Sequence, residues 1–176
     1  MILKELLERS EYTLVQGSED VEISTLVYDS RKIEKGSVFV CISGAAFDGH
    51  KFVAQAAELG AAAVVVEKDV EVPENLTVSK FDNTRLALAE MSAAYFGYPA
   101  EELTTIGITG TKGKTTTTYM IRAVLEHAGQ KTGLIGTIET IIGDERIPSV
   151  NTTPESYIVQ ESFRKMADAG LKNVVM

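Results

Sequence analysis

The stretch TIGITGTKGKTTTT, residues 105–118, gathers glycines, two lysines and a run of threonines. Threonine is a poor helix former and glycine a poor strand former, so this composition suits neither element by itself. It suits a junction. A strand ending at Thr109, a glycine-rich turn, and Lys114-Thr115 opening a helix make the plan of a phosphate-binding loop. Gly110 and Gly113 permit φ angles and a close backbone approach that a Cβ would block. The N–H groups of the loop and of the first helical turn then converge on one anion, reinforced by the helix dipole. Lys114 adds a mobile positive charge for the outer phosphates, and the Thr115 hydroxyl suits Mg²⁺. The common spacing G-x-x-x-x-G-K-[ST] asks for glycine at 108, where this chain has Ile108; it carries the shorter Gly110-Thr111-Lys112-Gly113-Lys114-Thr115. Two readings stand side by side: a glycine-rich turn with incidental lysines, or a loop that binds ATP or GTP.

The rest of the composition limits the alternatives. The 176 residues are 44% hydrophobic with a formal net charge of −8. Broad nucleic-acid or anionic-membrane binding needs an excess of Lys and Arg and is not expected. A small anion remains open, through a local pocket of N–H groups and lysines. Cys41, the one cysteine, sits in the apolar run VFVCIS and reads as a small buried hydrophobe. With His50 and His127 far apart in sequence, no zinc-type ligand set is expected. The N-terminal MILKELLERSEY is a short amphipathic helix without a cleavage-site pattern. No apolar run nears the roughly 20 residues that span a bilayer. The expectation is a cytoplasmic location.

The elements that must position the loop follow from patterning. VEISTLVYDSR alternates like a strand and ends on Asp29-Ser30-Arg31; SVFVCIS follows as a buried strand. DGHKFVAQAAELG has helical spacing at Phe52, Val53, Ala56, Ala57 and Leu59, stopped at Gly60. AAAVVVEK is a continuous β-branched run, as in a strand covered on both faces. Strand, helix, strand implies a βαβ crossover and a parallel sheet. ENLTVSKF reads as a further strand. Asn83 or Thr84 caps a helix whose apolar face is Leu86, Ala89, Met91, Ala94 and Tyr95. GYPAEEL, 97–103, breaks the pattern and reads as a linker. Two domains are therefore expected, 1–98 and 103–176.

In the second, LTTIGITG is a strand feeding the loop. The helix after it turns Tyr119 or Met120, Ile121, Val124 and Leu125 to the core and stops at Gly129. TGLIGTIETIIGDERIPSV gives two or three short strands with a Gly143-Asp144 hairpin turn. Pro154 opens a last helix, closed by Gly170, before NVVM. That final segment reads as the start of a buried parallel strand, or else as a short edge strand. Residues 103–176 fall short of the roughly 100–150 residues usual for a domain, so a truncated chain is expected.

The string GITGTKGKTTT, 107–117, resembles the nucleotide loop of the Mur ligase family, ATP-dependent amide-forming enzymes of peptidoglycan precursor synthesis. That family carries a compact G-T-x-G-K-T form, which accounts for Ile108. YDSRKIEKGSVFVCISGAAFDGHKFVAQAAELGAAAVVVE, 28–67, resembles the N-terminal uridine-nucleotide domain of its later-acting members. NTTPES, 151–156, is similar to a segment of the member that adds the third peptide residue. The resemblance runs from about residue 20 to the end of the chain.

What it implies is an α/β fold: a small Rossmann-like UDP-MurNAc-binding domain (1–98), then the first part of a P-loop ATPase domain with a mostly parallel sheet (103–176). It implies a ligase that joins a diamino acid, meso-diaminopimelate or L-lysine, to UDP-MurNAc-L-Ala-D-Glu through an acyl phosphate, with ATP and Mg²⁺, as a monomer. By matching position Lys114 is the catalytic lysine on the β/γ-phosphates and Thr115 the metal ligand. Gly110, Thr111, Lys112, Gly113, Lys114, Thr115 and Thr116 wrap the triphosphate. Tyr28, Ser30, Ala45, Ala46 and Phe47 meet the UDP part; Asn151, Thr152 and Thr153 meet the muramoyl-peptide end. Small and aromatic residues at 45–47, where relatives often have polar ones, leave backbone contacts and stacking on Phe47. Ser30 could instead cap a turn, Arg31 could sit in a surface ion pair, and Thr152 or Thr153 could cap the last helix. Further family elements, a glutamate for Mg²⁺, a carbamylated lysine and an amino-acid-binding domain, have no counterpart in the 176 residues, so the chain is not expected to ligate by itself. The competing readings are the ligase that adds D-Ala-D-Ala and a non-catalytic nucleotide-binding module.

Overall fold

The computed structural model describes residues 1–44 and 47–176, and Ala45 and Ala46 lie outside the described residues. The chain forms two compact units, Met1–Tyr95 and Phe96–Met176. Both are α/β, and each has its own five-stranded sheet.

The first unit contains α1 (Leu3–Leu7), β1 (Thr13–Gln16), β2 (Leu26–Val27), β3 (Val38–Val40), α2 (Val53–Glu58), β4 (Ala63–Val66), β5 (Thr77–Lys80) and α3 (Thr84–Tyr95). Its sheet order is β1-β5-β4-β3-β2, parallel from β2 to β5, with β1 antiparallel on β5. The β3–α2–β4 crossover expected from the patterning is present. Every residue of β3 and β4 is buried, because helices cover both faces. Phe39, Val64 and Val66 meet Val53 and Ala56 of α2 on one side. The alternate residues, Val38, Val40, Ala63 and Val65, are equally buried, and α3, backed by α1, packs against the sheet. Met91 and Leu88 of α3 are fully buried.

Patterning misjudged some details. Of VEISTLVYDSR only Leu26–Val27 enters the ladder. There is no pattern to reveal β1, an edge strand with Leu14 and Val15 facing outward. In α3 the buried stripe is Thr84, Ala87, Leu88, Met91 and Ser92, an i, i+3, i+4, i+7, i+8 set, so Leu86 points to solvent. Small residues hid that face. Leu59, at the end of α2, is also exposed. Of the two candidate caps, Asn83 does the capping: its Oδ1 accepts from the N–H groups of Arg85 and Leu86 at 2.9 and 3.1 Å.

The second unit contains β6 (Thr104–Ile106), α4 (Lys114–His127), β7 (Thr132–Ile135), β8 (Glu139–Ile142), β9 (Glu145–Pro148), α5 (Ser156–Asp168) and β10 (Asn173–Val175). Its order is β6-β10-β7-β8-β9. β6, β10 and β7 are parallel, and the β8–β9 hairpin, turning at Gly143-Asp144, adds antiparallel strands. β10 is buried throughout and lies between β6 and β7, so the edge-strand alternative for NVVM is excluded. Phe163 and Met166 of α5 pack with Ile135, Ile142 and Val174.

In α4 the sheet-facing stripe is Thr118, Ile121, Arg122 and Leu125, and only Thr118 is fully buried. Met120 and Val124, expected in the core, are 64% and 69% exposed, because they lie about half a turn away from that stripe. Glu155, not Thr152 or Thr153, occupies the N-cap of α5, and no side chain caps it. Pro154 stands before the helix rather than in its first turn.

Candidate functional site

In a parallel sheet, the loops after the strands share one edge, the usual position of ligand sites in α/β folds. In the second unit, that edge collects the segment after β6 (107–113), Gly136-Thr137 after β7, and Met176 after β10. The Ile108 N–H donates to the Met176 carbonyl at 2.7 Å, extending the ladder to the loop's first residues. A cavity of about 430 Å³ opens there. Lys114, Thr115 and Thr118 come from the start of α4, Gly107, Ile108 and Thr109 from the loop, Thr137 from the turn after β7, and Thr152 and Thr153 from the segment before α5.

The loop turns because two glycines take backbone angles that other residues disfavour: Gly110 at φ +153° and Gly113, the N-cap of α4, at φ +78°. No protein atom lies within 3.7 Å of where a Cβ would stand at either, so conformation and not crowding calls for glycine. The first helical hydrogen bond runs from the Thr117 N–H to the Gly113 carbonyl at 2.9 Å. The N–H groups of Lys114, Thr115 and Thr116 therefore lie in the unbonded first turn. Lys114 Nζ donates to the Gly110 carbonyl at 2.6 Å, a neutral acceptor that leaves its charge uncompensated. The Thr115 and Thr137 hydroxyl oxygens are 3.4 Å apart, and the Thr118 hydroxyl donates to the Thr115 carbonyl at 2.8 Å.

Among the described lining residues there is no Asp or Glu side chain, and Lys114 is the one charged side chain. The cavity's donors fit a polyphosphate: one ammonium, several hydroxyls and free helix-start N–H groups. For Mg²⁺ the fit is partial, because Thr115 offers one hydroxyl and the remaining ligands would be phosphate oxygens and water. Among the described residues no group of three or more His, Cys, Asp or Glu could hold a metal ion.

The structure brings Lys114 and Thr115 together with Thr152 and Thr153, far apart in sequence. Asn151 is exposed and outside the lining, as are Gly110, Thr111, Lys112, Gly113 and Thr116. Thr137 and Thr109 were not singled out from sequence. Thr137 had a signal, since it follows a buried strand of a parallel sheet.

In the first unit the corresponding edge carries Tyr28 and Ser30 after β2, Phe47 after β3, and Glu67 and Lys68 after β4. Asp29 caps the turn at 30–32: its Oδ1 accepts from the Arg31 N–H at 3.1 Å, so Ser30 is not the cap. Arg31 also grips Asp29 through two guanidinium bonds of 2.9 and 2.7 Å, the surface ion-pair alternative. That pairing holds the Asp29 carboxyl down at about 2. The Ser30 hydroxyl has no hydrogen-bond partner among the described residues. Phe47 is 77% exposed. Ala45 and Ala46, expected near the nucleobase, lie outside the described residues. Cys41 is fully buried, and burial pushes its thiol up to about 12.

Comparison with known proteins adds independent findings. The family description "Mur ligase family, catalytic domain" matches residues 22–96, and "Mur ligase middle domain" matches 108–176. The chain is 48% identical over all of its 176 residues to a Clostridium perfringens protein named UDP-N-acetylmuramoyl-L-alanyl-D-glutamate--2,6-diaminopimelate ligase, of which it covers 36%. A solved structure of a ligase of that name superposes on 99% of the chain with a TM-score of 0.78 at 21% identity, and the chain covers 35% of it. A MurF ligase from Thermotoga maritima in complex with ADP matches 89% of the chain with a TM-score of 0.52 at 22% identity, the chain covering 32% of it. The chain thus spans about a third of the length of the curated relatives it matches.

Proposed function

The chain belongs to the Mur ligase family, and from that premise we propose that it is the nucleotide-handling part of a ligase that adds diaminopimelate to UDP-MurNAc-L-Ala-D-Glu. The observation that carries this reading is the Gly110–Thr115 loop, whose Lys114 and Thr115 line a cavity together with Thr152 and Thr153. The name of the Clostridium perfringens relative specifies 2,6-diaminopimelate and favours that amine over lysine. The residues 1–98 are assigned to the UDP-MurNAc moiety and 103–176 to ATP.

In this reading the loop N–H groups and Lys114 hold the β- and γ-phosphates of ATP, and the Thr115 hydroxyl ligates the Mg²⁺ that accompanies them. Thr152 and Thr153 hold the muramoyl-peptide end, with Asn151 beside them in sequence. The terminal carboxylate of the dipeptide attacks the γ-phosphorus, ADP leaves, and the diamino acid's amine displaces phosphate from the acyl phosphate. Catalysis of the first step is mainly positioning and charge neutralisation, the chemistry this loop's donors supply. Tyr28, Ser30 and Phe47, on one sheet edge, meet the UDP part. Among the described residues no helix is long and apolar enough to cross a membrane, and the acidic surface suits neither nucleic acid nor an anionic membrane. The proposed setting is the cytoplasm, as a monomer.

Among the described lining residues no Asp or Glu side chain stands ready to complete a metal site, and in this reading the 176 residues bind substrates without joining them. Calorimetric titration of the chain with Mg·ATP and with UDP-MurNAc-L-Ala-D-Glu tests this. Saturable binding of each is expected, with no amide product when diaminopimelate is added. A chain that binds neither overturns the reading, and amide formation by the isolated chain overturns its division of labour.

A further inference from the structure

The excursion between β3 and α2 is held from both of its legs by one polar network. His50 is buried at 6% exposure. Its Nε2 accepts from the Glu67 backbone N–H at 3.0 Å, so the ring proton lies on Nδ1, which donates to Asp48 Oδ1 at 2.7 Å. Asp48 also accepts from the His50 N–H at 3.1 Å and pairs with Lys68. On the other leg, Ser43 bridges Asp48 and hydrogen-bonds the Glu67 carboxylate, which accepts from the Thr84 N–H and hydroxyl at 3.1 and 2.9 Å. The Gly49 N–H donates to the Ile42 carbonyl at 2.9 Å, and a Cβ at 49 would come within 2.8 Å of the Ile42 nitrogen, so the stem closes tightly. Next to this tied stem, the Gly44 N–H donates to the Phe47 carbonyl at 2.8 Å, and the Phe47 ring is 77% exposed. A plain connection between strand and helix needs neither a buried, tautomer-locked histidine nor an aromatic ring held outward.

We propose that His50, with Asp48 and Glu67 as its partners, is a positioning residue for uridine-nucleotide recognition: it fixes the stem that presents Phe47 to the nucleobase. This rests on the assignment of residues 1–98 to the UDP moiety. His50 itself does not touch the nucleotide. Its ring joins the end of β4 to the excursion, so Phe47 is oriented before the ligand arrives.

The test measures UDP and ATP affinities of the 176-residue chain by calorimetry. His50→Ala should weaken UDP about tenfold while ATP affinity stays within about twofold. His50→Gln, whose amide can accept from the Glu67 N–H and donate to Asp48, should recover most of that loss. Phe47→Ala should weaken UDP comparably, and adding His50→Ala to it should cost little more, since both act through one ring. If His50→Ala does not fold, Asp48→Asn, at a half-exposed member of the network, supplies the same comparison with a loss of about threefold. UDP affinity unchanged in His50→Ala or Asp48→Asn, or additive losses with Phe47→Ala, overturns the positioning role and leaves the UDP assignment standing. A wild-type chain that binds no UDP overturns the assignment and the positioning role together.

Discussion

The two units place their candidate ligand residues on the same kind of sheet edge and furnish it in opposite ways. In the first unit the edge carboxylates are held by partners in the chain: Asp29 by Arg31, Asp48 by Lys68 and His50, and Glu67 by hydrogen bonds from Ser43 and Thr84. In the second unit Lys114 rests on a carbonyl, and the other donors are hydroxyls and N–H groups at a helix start. An edge with its charges internally paired is stiff and offers shape, an aromatic face and neutral donors, which suits a nucleobase. An edge that keeps positive charge uncompensated gains most from a polyanion. The difference indicates that these units do not divide the work by fold but by what they leave unpaired.

The sharpest way to break this comparison is Lys114→Ala. Loss of an ammonium–phosphate contact of roughly 1.5–3 kcal/mol should weaken ATP binding about 10- to 100-fold, with the thermal midpoint unchanged. ATP affinity equal to wild type would remove the electrostatic contrast between the edges. Next comes Gly113→Ala. At φ +78° a side chain costs roughly 1–2 kcal/mol, so the second unit's melting midpoint should fall by several degrees and ATP affinity should drop with it. A midpoint within a degree of wild type would show that the N-cap geometry relaxes freely.

A smaller effect tests the first unit's edge by pH. The Asp29 carboxyl is lowered from 3.8 to about 2 by Arg31, and Asp48 is lowered further by Lys68 and His50. A carboxylate depressed in the folded state supports the fold above its unfolded value and withdraws that support as pH falls through the folded value. Hydrogen exchange should therefore show protection at 29–32 weakening between about pH 4 and pH 2, and protection at 48–50 and 67–68 persisting to lower pH. A last check, on the packing of the first unit and not on its edge, concerns Cys41, whose thiol, buried and pushed up to about 12, should react with alkylating reagents near pH 8 far more slowly than a free thiol. Rapid labelling would mean that the first unit opens more readily than its packing implies.

The phosphate loop was legible because its signal is local: glycines at a strand-to-helix junction followed by Lys114-Thr115. The parallel crossover was legible from SVFVCIS, a helical spacing and AAAVVVEK. What escaped depended on neighbours distant in sequence. β1 is held by β5, some sixty residues away, and has no buried face to leave a pattern. The rotation of α3 was hidden because Ala87 and Ser92 occupy the buried stripe and the larger Leu86 does not. The convergence of Thr152 and Thr153 with Thr115 requires β7 and β10 to be in place, and Thr137 becomes visible only as part of that edge. The His50 network escaped for the same reason, since its partner is a backbone N–H on another strand.

The insertion of β10 between β6 and β7 has a consequence for synthesis. Those two strands do not pair with each other: β6 finds its partner, and β7 its parallel partner, in residues 173–175. While a ribosome is making the chain, the first unit can complete its sheet once β5 and α3 have emerged. The nucleotide loop, by contrast, hangs from a strand with an open seam beside it until β10 arrives. Such long-range closure is slow and leaves strand edges exposed. Strand β10 is thus the one that turns a glycine-rich hinge into a supported binding surface.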